Sequence, residues 1–178
     1  MADFKCIGLV GRPDHSGVVD SLTRLLAFLG EQDVSIVLDD VTAGLIKNPG
    51  VIECKREELS KHCDLVIVVG GDGSMLNVAK YVASDRVPVI GINRGNLGFL
   101  TDVLPDEIEA KVAEVLAGDY SIEERVLLDV VVRTGGKQSA LGSALNDVVL
   151  HPGKAAQMIE FELFVDDKFV YSQESDGL

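Results

Sequence analysis

Leu65-Val66-Ile67-Val68-Val69-Gly70-Gly71-Asp72-Gly73-Ser74 is the stretch whose reading decides the fold. Leu65 to Val69 is an unbroken apolar run, β-branched after its first residue, and reads as a strand buried on both faces, as in a parallel sheet. Glycines and an aspartate follow. From Ser74 to Val82 the apolar positions Met75, Leu76, Val78, Ala79 and Val82 keep helical spacing. A strand feeding a helix through a glycine turn leaves amide donors without acceptors at the helix start, where the helix dipole also favours an anion, typically phosphate. Gly70, Gly71 and Gly73 are expected to allow positive φ and close approach of a ligand. Asp72 has the wrong sign for holding phosphate, so it is assigned what a glycine cannot do: accept a proton, or hold a metal that bridges phosphates. The plainer alternative is a helix cap in a tight turn. The stretch is not a Walker A loop, since no Gly-Lys-Ser/Thr follows, and it fails G-x-G-x-x-G at Leu76.

Outward from this stretch the chain alternates strands and helices. Cys6 to Val10 reads as a strand ended by Gly11-Arg12-Pro13, and Asp14-His15-Ser16 offers caps for a helix to about Leu29. Val18, Val19, Leu22, Leu25, Leu26 and Leu29 are expected on its buried face, with Gly30 as the stop. Val34 to Leu38 reads as a strand closed by Asp39-Asp40. Thr42 to Gly50 is loose, with a turn at Asn48-Pro49-Gly50, and a short polar helix spans Arg56 to Lys61. Val87 to Ile92 is a further strand, followed by a second glycine loop, Asn93 to Asp102. Pro105 opens a helix whose stripe is Ile108, Val112, Val115 and Leu116, ended by Gly118. This order predicts an α/β domain over residues 1–120, a parallel sheet with right-handed crossovers that binds ligands beyond the carboxyl ends of its strands.

Past Tyr120 the style changes to strands and hairpins. Strands are expected from Leu127 to Arg133, Leu141 to Leu150, Met158 to Val165 and Phe169 to Ser172. Turns fall at Thr134-Gly135-Gly136-Lys137 and Asp166-Asp167-Lys168. Alternation through Ile159-Glu160-Phe161-Glu162-Leu163 gives a sheet with one wet face. Residues 121–178 are therefore read as a β-rich, sandwich-like domain that is incomplete, the pattern being expected to continue past Leu178.

Lys and Arg total 16 against 29 Asp and Glu, a formal charge of −13. Such a surface repels nucleic acid and anionic membranes, and makes a divalent cation a natural companion of any bound nucleotide. Cys6, Cys54 and Cys63 form no C-x-x-C pair, as expected of reduced thiols, and no apolar run is long enough for a signal peptide or a bilayer span. A cytoplasmic protein is expected. His15, His62 and His151 share no ligand spacing, and no protein-held metal is expected. Arg94 either neutralises phosphate or is a solvated charge. Lys80 is read as solvated.

Gly70-Gly71-Asp72-Gly73, then Gly91-Ile92-Asn93-Arg94-Gly95-Asn96-Leu97-Gly98-Phe99-Leu100, then Asn146-Asp147-Val148-Val149-Leu150-His151-Pro152-Gly153 and Ser175-Asp176-Gly177 occur in this order. Together they resemble the bacterial NAD kinases, and the likeness runs over the whole chain. The first motif is shared with diacylglycerol-type lipid kinases and phosphofructokinases; the others are more particular. The resemblance implies transfer of the ATP γ-phosphoryl group to the 2′-hydroxyl of the adenosine ribose of NAD, giving NADP, with a divalent cation, Mg2+, and a homo-oligomer at full length. It implies that Asp72 is the base and, with Gly73, lies against NAD, that Gly70, Gly71 and Gly73 form the phosphate loop, and that Arg94 has a structural or substrate-side role. By the same resemblance Asn146, Asp147, Gln157, Glu174 and Asp176 contact NAD, Asp176 near the nicotinamide end. Gln157 and Glu174 depart from relatives, which often carry a basic residue or His there. Without the resemblance, Asn146-Asp147 reads as an Asx turn or bulge. This stretch alone is expected to turn over weakly. The alternatives are a lipid or sugar kinase sharing the Gly-Gly-Asp-Gly loop, and a nucleotide-binding module without catalysis.

Overall fold

The computed structural model describes residues 4–13, 15–46, 50–95, 98–153 and 157–178. The expected Asp14 cap, the Asn48-Pro49 turn and Asn96-Leu97 of the second glycine loop lie outside the described residues. The chain divides into two compact units, one through Val126 and one from Leu127 to Leu178. Tyr120 belongs with the first, its ring 5.6 Å from that of Phe4.

The first unit is a five-stranded parallel sheet. Its strands are β1 (Cys6–Gly11), β2 (Ser35–Asp39), β3 (Ile52–Cys54), β4 (Leu65–Gly70) and β5 (Val89–Asn93), in the order β3-β2-β1-β4-β5. Helices α1 (Val18–Leu29), α2 (Asp40–Leu45), α3 (Leu59–His62), α4 (Asp72–Val82) and α5 (Ile108–Leu116) connect and follow them. Strand β4 is buried throughout, as its apolar run requires. Alternate residues serve the two faces. Ile7, Leu9, Ile67, Val69 and Ile92 pack with α1 and α5, while Val10, Val66 and Val68 pack with Leu59, Cys63, Val78 and Val82. Arg24 ties α1 to the start of α5. Its Nε and Nη2 donate to Glu109 (2.8 and 2.5 Å) and its Nη1 to the Pro105 carbonyl (2.8 Å).

Several local expectations need correction. Helix α1 starts at Gly17 (φ 79°) with no side-chain cap. Its first turn is fixed instead by Arg94, whose Nε donates to Ser21 Oγ (2.6 Å) and whose Nη2 pairs with Asp20 (2.9 Å). Arg94 is thus a largely covered structural residue, one of the two roles the resemblance implies, and not a solvated charge. Val19 is half exposed and Ser21 buried, because 100° per residue carries position 19 off the stripe set by Val18, Leu22, Leu25 and Leu29. Gly30 stays right-handed (φ −64°), whereas Gly118 takes the left-handed conformation expected after a helix (φ 89°). The stretch read as loose from Thr42 to Gly50 holds the end of α2, and the short edge strand β3 follows it.

The second unit consists of two antiparallel hairpins, β6 (Leu128–Thr134) with β7 (Lys137–Ala144) and β8 (Ile159–Val165) with β9 (Lys168–Ser175). Each turns on two residues of positive φ, Gly135-Gly136 (56° and 77°) and Asp166-Asp167 (49° and 61°), which matches the twist of the strands. The strand expected to reach Leu150 stops at Ala144, where the chain bends at Leu145-Asn146. Leu150 instead exchanges two backbone hydrogen bonds with Leu178 (2.8 and 2.9 Å). Among the described residues no helix is long and apolar enough to cross a membrane.

Candidate functional site

The sheet order reverses direction between β1 and β4. The sequence climbs from β1 to β3 on one side, then resumes at β4 on the other. In an open α/β sheet such a switch point opens a crevice beyond the carboxyl ends of the strands. Gly11-Arg12-Pro13 leaves β1 there, and Gly70-Gly71-Asp72-Gly73 leaves β4 beside it, linked by a bond from Arg12 N to the Val69 carbonyl (3.0 Å).

Helix α4 begins at Asp72 with Gly71 as its N-cap, in extended backbone (φ −128°, ψ −169°) and without a side-chain cap. Ser74 N and Met75 N both donate to the Gly71 carbonyl (2.9 and 3.2 Å), so the first helical amides, of Asp72 and Gly73, have no acceptor within the helix. None of Gly70, Gly71 and Gly73 uses the positive φ that glycine allows. Space is the reason for glycine at position 70: an added Cβ would collide with Ser74 Oγ. At Gly71 and Gly73 a Cβ would meet nothing within 4 Å, so both present bare backbone to open space.

Asp72 does not cap its own helix. Its Oδ2 accepts from Phe99 N (2.8 Å) and its Oδ1 from Leu100 N (3.0 Å), across to the second glycine loop. Charge-assisted bonds of this kind are among the stronger ones, each worth about 1.5–3 kcal/mol. The loop reaches Asp72 because it folds back along β5. Asn93 N donates to the Val103 carbonyl (2.8 Å) and Val103 N to the Gly91 carbonyl (3.2 Å). Two glycines permit this. A Cβ on Gly91 would lie 2.8 Å from the Leu100 carbonyl, and one on Gly98 would collide with Asp72 Oδ1. Asn93 Oδ1 accepts from Gly95 N (2.8 Å) and Arg94 N donates to the Gly70 carbonyl (2.7 Å), joining the two glycine turns. The carboxylate is thereby oriented by backbone at the ends of two adjacent strands, with further lone pairs on both oxygens. Beside it the Phe99 side chain is 90 % exposed, a flat apolar face that sequence reading missed.

On the other side of α4's start lies a cavity of about 300 Å³ lined by Arg12, Arg56, Gly73, Ser74 and Asn77 among others. Arg56 is held there by Asp39, which is fully buried; Nε and Nη2 reach Oδ2 at 2.6 and 2.5 Å. Asp39 Oδ1 also accepts from Thr42 N (3.0 Å), and the Thr42 hydroxyl accepts from Gly11 N (2.7 Å). This network explains α2, whose Val-Thr-Ala-Gly sequence has weak helix propensity of its own. Neither arginine was singled out in sequence as a site residue. The signal available was position: each directly follows the carboxyl end of a strand, Arg12 after β1 and Arg56 shortly after β3.

The residues beyond Asp72 and Gly73 that the resemblance assigns to NAD lie in the second unit. Asn146 Nδ2 donates to Asp147 Oδ1 (3.1 Å) and Ser175 Oγ to Asp176 Oδ1 (3.2 Å). The Leu150–Leu178 pairing brings the segment after Asn146-Asp147 against the one after Asp176, and a Cβ on Gly177 would lie 2.7 Å from the Leu150 carbonyl. Gln157 precedes β8, and Glu174 stands opposite Glu160 in the β8–β9 pair, a repulsive juxtaposition exposed to water. His151 Nδ1 accepts from Gly153 N (3.0 Å). Lys80 stacks on Tyr81, its Nζ 4.6 Å from the ring centre. Among the described residues no group of three or more His, Cys, Asp or Glu side chains could hold a metal ion.

Residues 7–120 match the family model described as the ATP-NAD kinase N-terminal domain. The chain is 53 % identical over all 178 residues to the NAD kinase of Chromohalobacter salexigens, covering 61 % of that protein. It is 52 % identical to those of Pseudomonas aeruginosa and Azotobacter vinelandii, covering 60 % of each. The chain thus spans about three fifths of the length of these relatives. Its fold is similar to that of yeast NADH kinase in complex with NADH, with a TM-score of 0.85 at 20 % identity, covering 97 % of this chain and 56 % of that one.

Proposed function

The chain belongs to the NAD kinase family, and from that premise we propose that it serves the phosphorylation of NAD by ATP at the 2′-hydroxyl of the adenosine ribose. The observation that carries this reading is the orientation of Asp72 by the Phe99 and Leu100 amides, at the junction of β4 and α4.

A ribose hydroxyl is a poor nucleophile. As its oxygen forms the new bond to the γ-phosphorus, the bond to the ADP oxygen breaks and Asp72 takes the hydroxyl proton. Phosphoryl transfer has a loose transition state, so proton removal can come late, and most of the rate comes from positioning and neutralising charge. A carboxylate fixed by two backbone bonds meets the positioning requirement. ATP enters as its Mg2+ complex. When bound, Mg2+ would be held chiefly by the phosphate oxygens and water, with Asp72 as the carboxylate this chain brings nearest, and would supply neutralisation of the phosphate charge. Gly70, Gly71 and Gly73 form the phosphate loop. Asn146, Asp147, Gln157, Glu174 and Asp176 are assigned to NAD, through amide donors and carboxylates able to accept from ribose hydroxyls or the adenine amino group. The exposed Phe99 ring offers a stacking face for a planar base. Cytosolic placement and self-association belong to the same reading.

The test is NADP formation from NAD and Mg-ATP, detected by a cycling assay with an NADP-specific dehydrogenase. It is run on this chain alone and joined to the C-terminal remainder of the Chromohalobacter salexigens NAD kinase. Weak formation by the chain and strong formation by the joined protein are expected. Nucleotide binding without NADP from either would favour a non-catalytic module.

A further inference from the structure

The start of α1 departs from what stabilises a helix N-terminus. Gly17 stands at the cap in the left-handed conformation (φ 79°) with no side-chain cap, and the Arg94 guanidinium lies across the helix's positive end, where a cation is disfavoured. Asp20 offsets only part of that charge. Where a sequence breaks local rules at one place, the gain is expected in function rather than in the element itself. We propose that Arg94 is a positioning residue for phosphoryl transfer: by gripping α1 it holds the second glycine loop where the Phe99 and Leu100 amides meet Asp72. The proposal rests on the phosphotransfer reading and deepens it by naming what orients the base.

At the helix, Nε donates to Ser21 Oγ (2.6 Å) and Nη2 to Asp20 Oδ2 (2.9 Å), with the Arg94 side chain only 18 % exposed. A Cβ at position 17 would lie 2.6 Å from Nη1, so the glycine there leaves room for the guanidinium. Two bonds from one planar fork to adjacent residues of a helix fix its orientation, which an ammonium group cannot match. At the main chain, Arg94 N donates to the Gly70 carbonyl (2.7 Å), two residues before Asp72. The backbone then continues into the loop, where Gly95 and Phe99 are exposed and have little burial to hold them. The far end of the loop is set by the bond from Val103 N to the Gly91 carbonyl (3.2 Å). Helix α1 is a firm support, because Val18, Leu22, Leu25 and Leu29 are buried in the same core as β1 and β4. A loop shift of about 1 Å would carry the Phe99 and Leu100 amides beyond hydrogen-bonding distance of Asp72.

Amide exchange at Phe99 and Leu100 in this chain, and steady-state NADP formation by the joined protein, test the assignment together. Arg94→Gln is expected to speed both exchanges about tenfold, while the amides of β4, which report global unfolding, keep their rates. In the joined protein its kcat is expected to fall about tenfold, with KM for NAD and for ATP within about twofold of the parent. Arg94→Lys keeps the charge but not the fork and should stay at least about threefold below the parent in kcat. Unchanged exchange at Phe99 and Leu100, or unchanged kcat, in Arg94→Gln would overturn the proposal. So would full kcat in Arg94→Lys, since charge alone would then suffice. A raised KM at constant kcat would make Arg94 a substrate contact instead, and exchange accelerated equally in β4 would leave it a purely structural residue; either result ends the positioning role. Failure of the kinase reading looks different: the parent joined protein makes no NADP, while exchange at Phe99 and Leu100 still depends on Arg94.

Discussion

The parallel sheet and the two hairpins use the same kinds of residue and bury them differently. Val66, Ile67, Val68 and Val69 in β4 are fully covered, whereas Phe164, Val165, Phe169 and Val170 in the β8–β9 hairpin are half exposed or more. The reason is architectural. A parallel sheet needs crossovers, and the crossover helices lay an apolar stripe on each face. A hairpin closes on a two-residue turn and brings no covering layer, so its alternation defines an apolar face without burying it. Burial, rather than composition, sets which substitutions are felt.

The largest contrast is in stability. Ile67→Ala removes a fully buried side chain between β1 and β5 and is expected to cost about 3–4 kcal/mol in urea unfolding of the first unit. Phe169→Ala, losing mainly the edge contact with Phe164, is expected to cost below about 1 kcal/mol. Equal costs would break the comparison. Gly98→Ala should act on the site more than on the fold. Its Cβ would collide with the Asp72 carboxylate, and NADP formation by the joined protein is expected to fall about 100-fold with folding retained. Amide exchange sharpens the contrast. Backbone N–H groups of β1 and β4 should be protected to the level of global unfolding, while those of β6 to β9 exchange far sooner.

The smallest effect concerns pH. Burial pushes the Cys54 thiol up to about 11, helped by the nearby Asp39 charge, and raises Cys63 further; Cys6 is raised as well. The folded unit therefore prefers the protonated thiols. The contribution of Cys54 is whole below the ordinary thiol range near 9 and is lost as pH rises through about 11. The urea midpoint should fall between about pH 8 and 10.5, less so in Cys54→Ala. All three cysteines lie in the first unit, so hairpin exchange protection should not follow that trend.

Legibility in the sequence followed the same division. Strand β4, α4 and the α1 stripe were readable because hydrophobic period and length set them locally. Helix α2 was not, because Asp39, Thr42 and Arg56 stabilise it through contacts made only in the folded unit. Strand β3 has three residues and too little pattern to detect. The strand end at Ala144 was missed because Val148-Val149-Leu150 continues the β-like composition past the bend. At the site, Asp72 stood out as a charge among glycines. Its amide partners lie 27 and 28 residues away, and no local pattern encodes that pairing. Arg12 and Arg56 became visible once the strand order placed a switch point beside β1.

One comparison bears most directly on the role of the oriented carboxylate: NADP formation by the joined protein with Asp72 and with Asp72→Asn, each checked for NAD affinity. Asparagine can keep one of the two amide bonds but cannot take a proton. A loss of at least about 100-fold in kcat with NAD affinity nearly unchanged is predicted. Turnover within a few fold of the parent protein would show that the proton goes elsewhere.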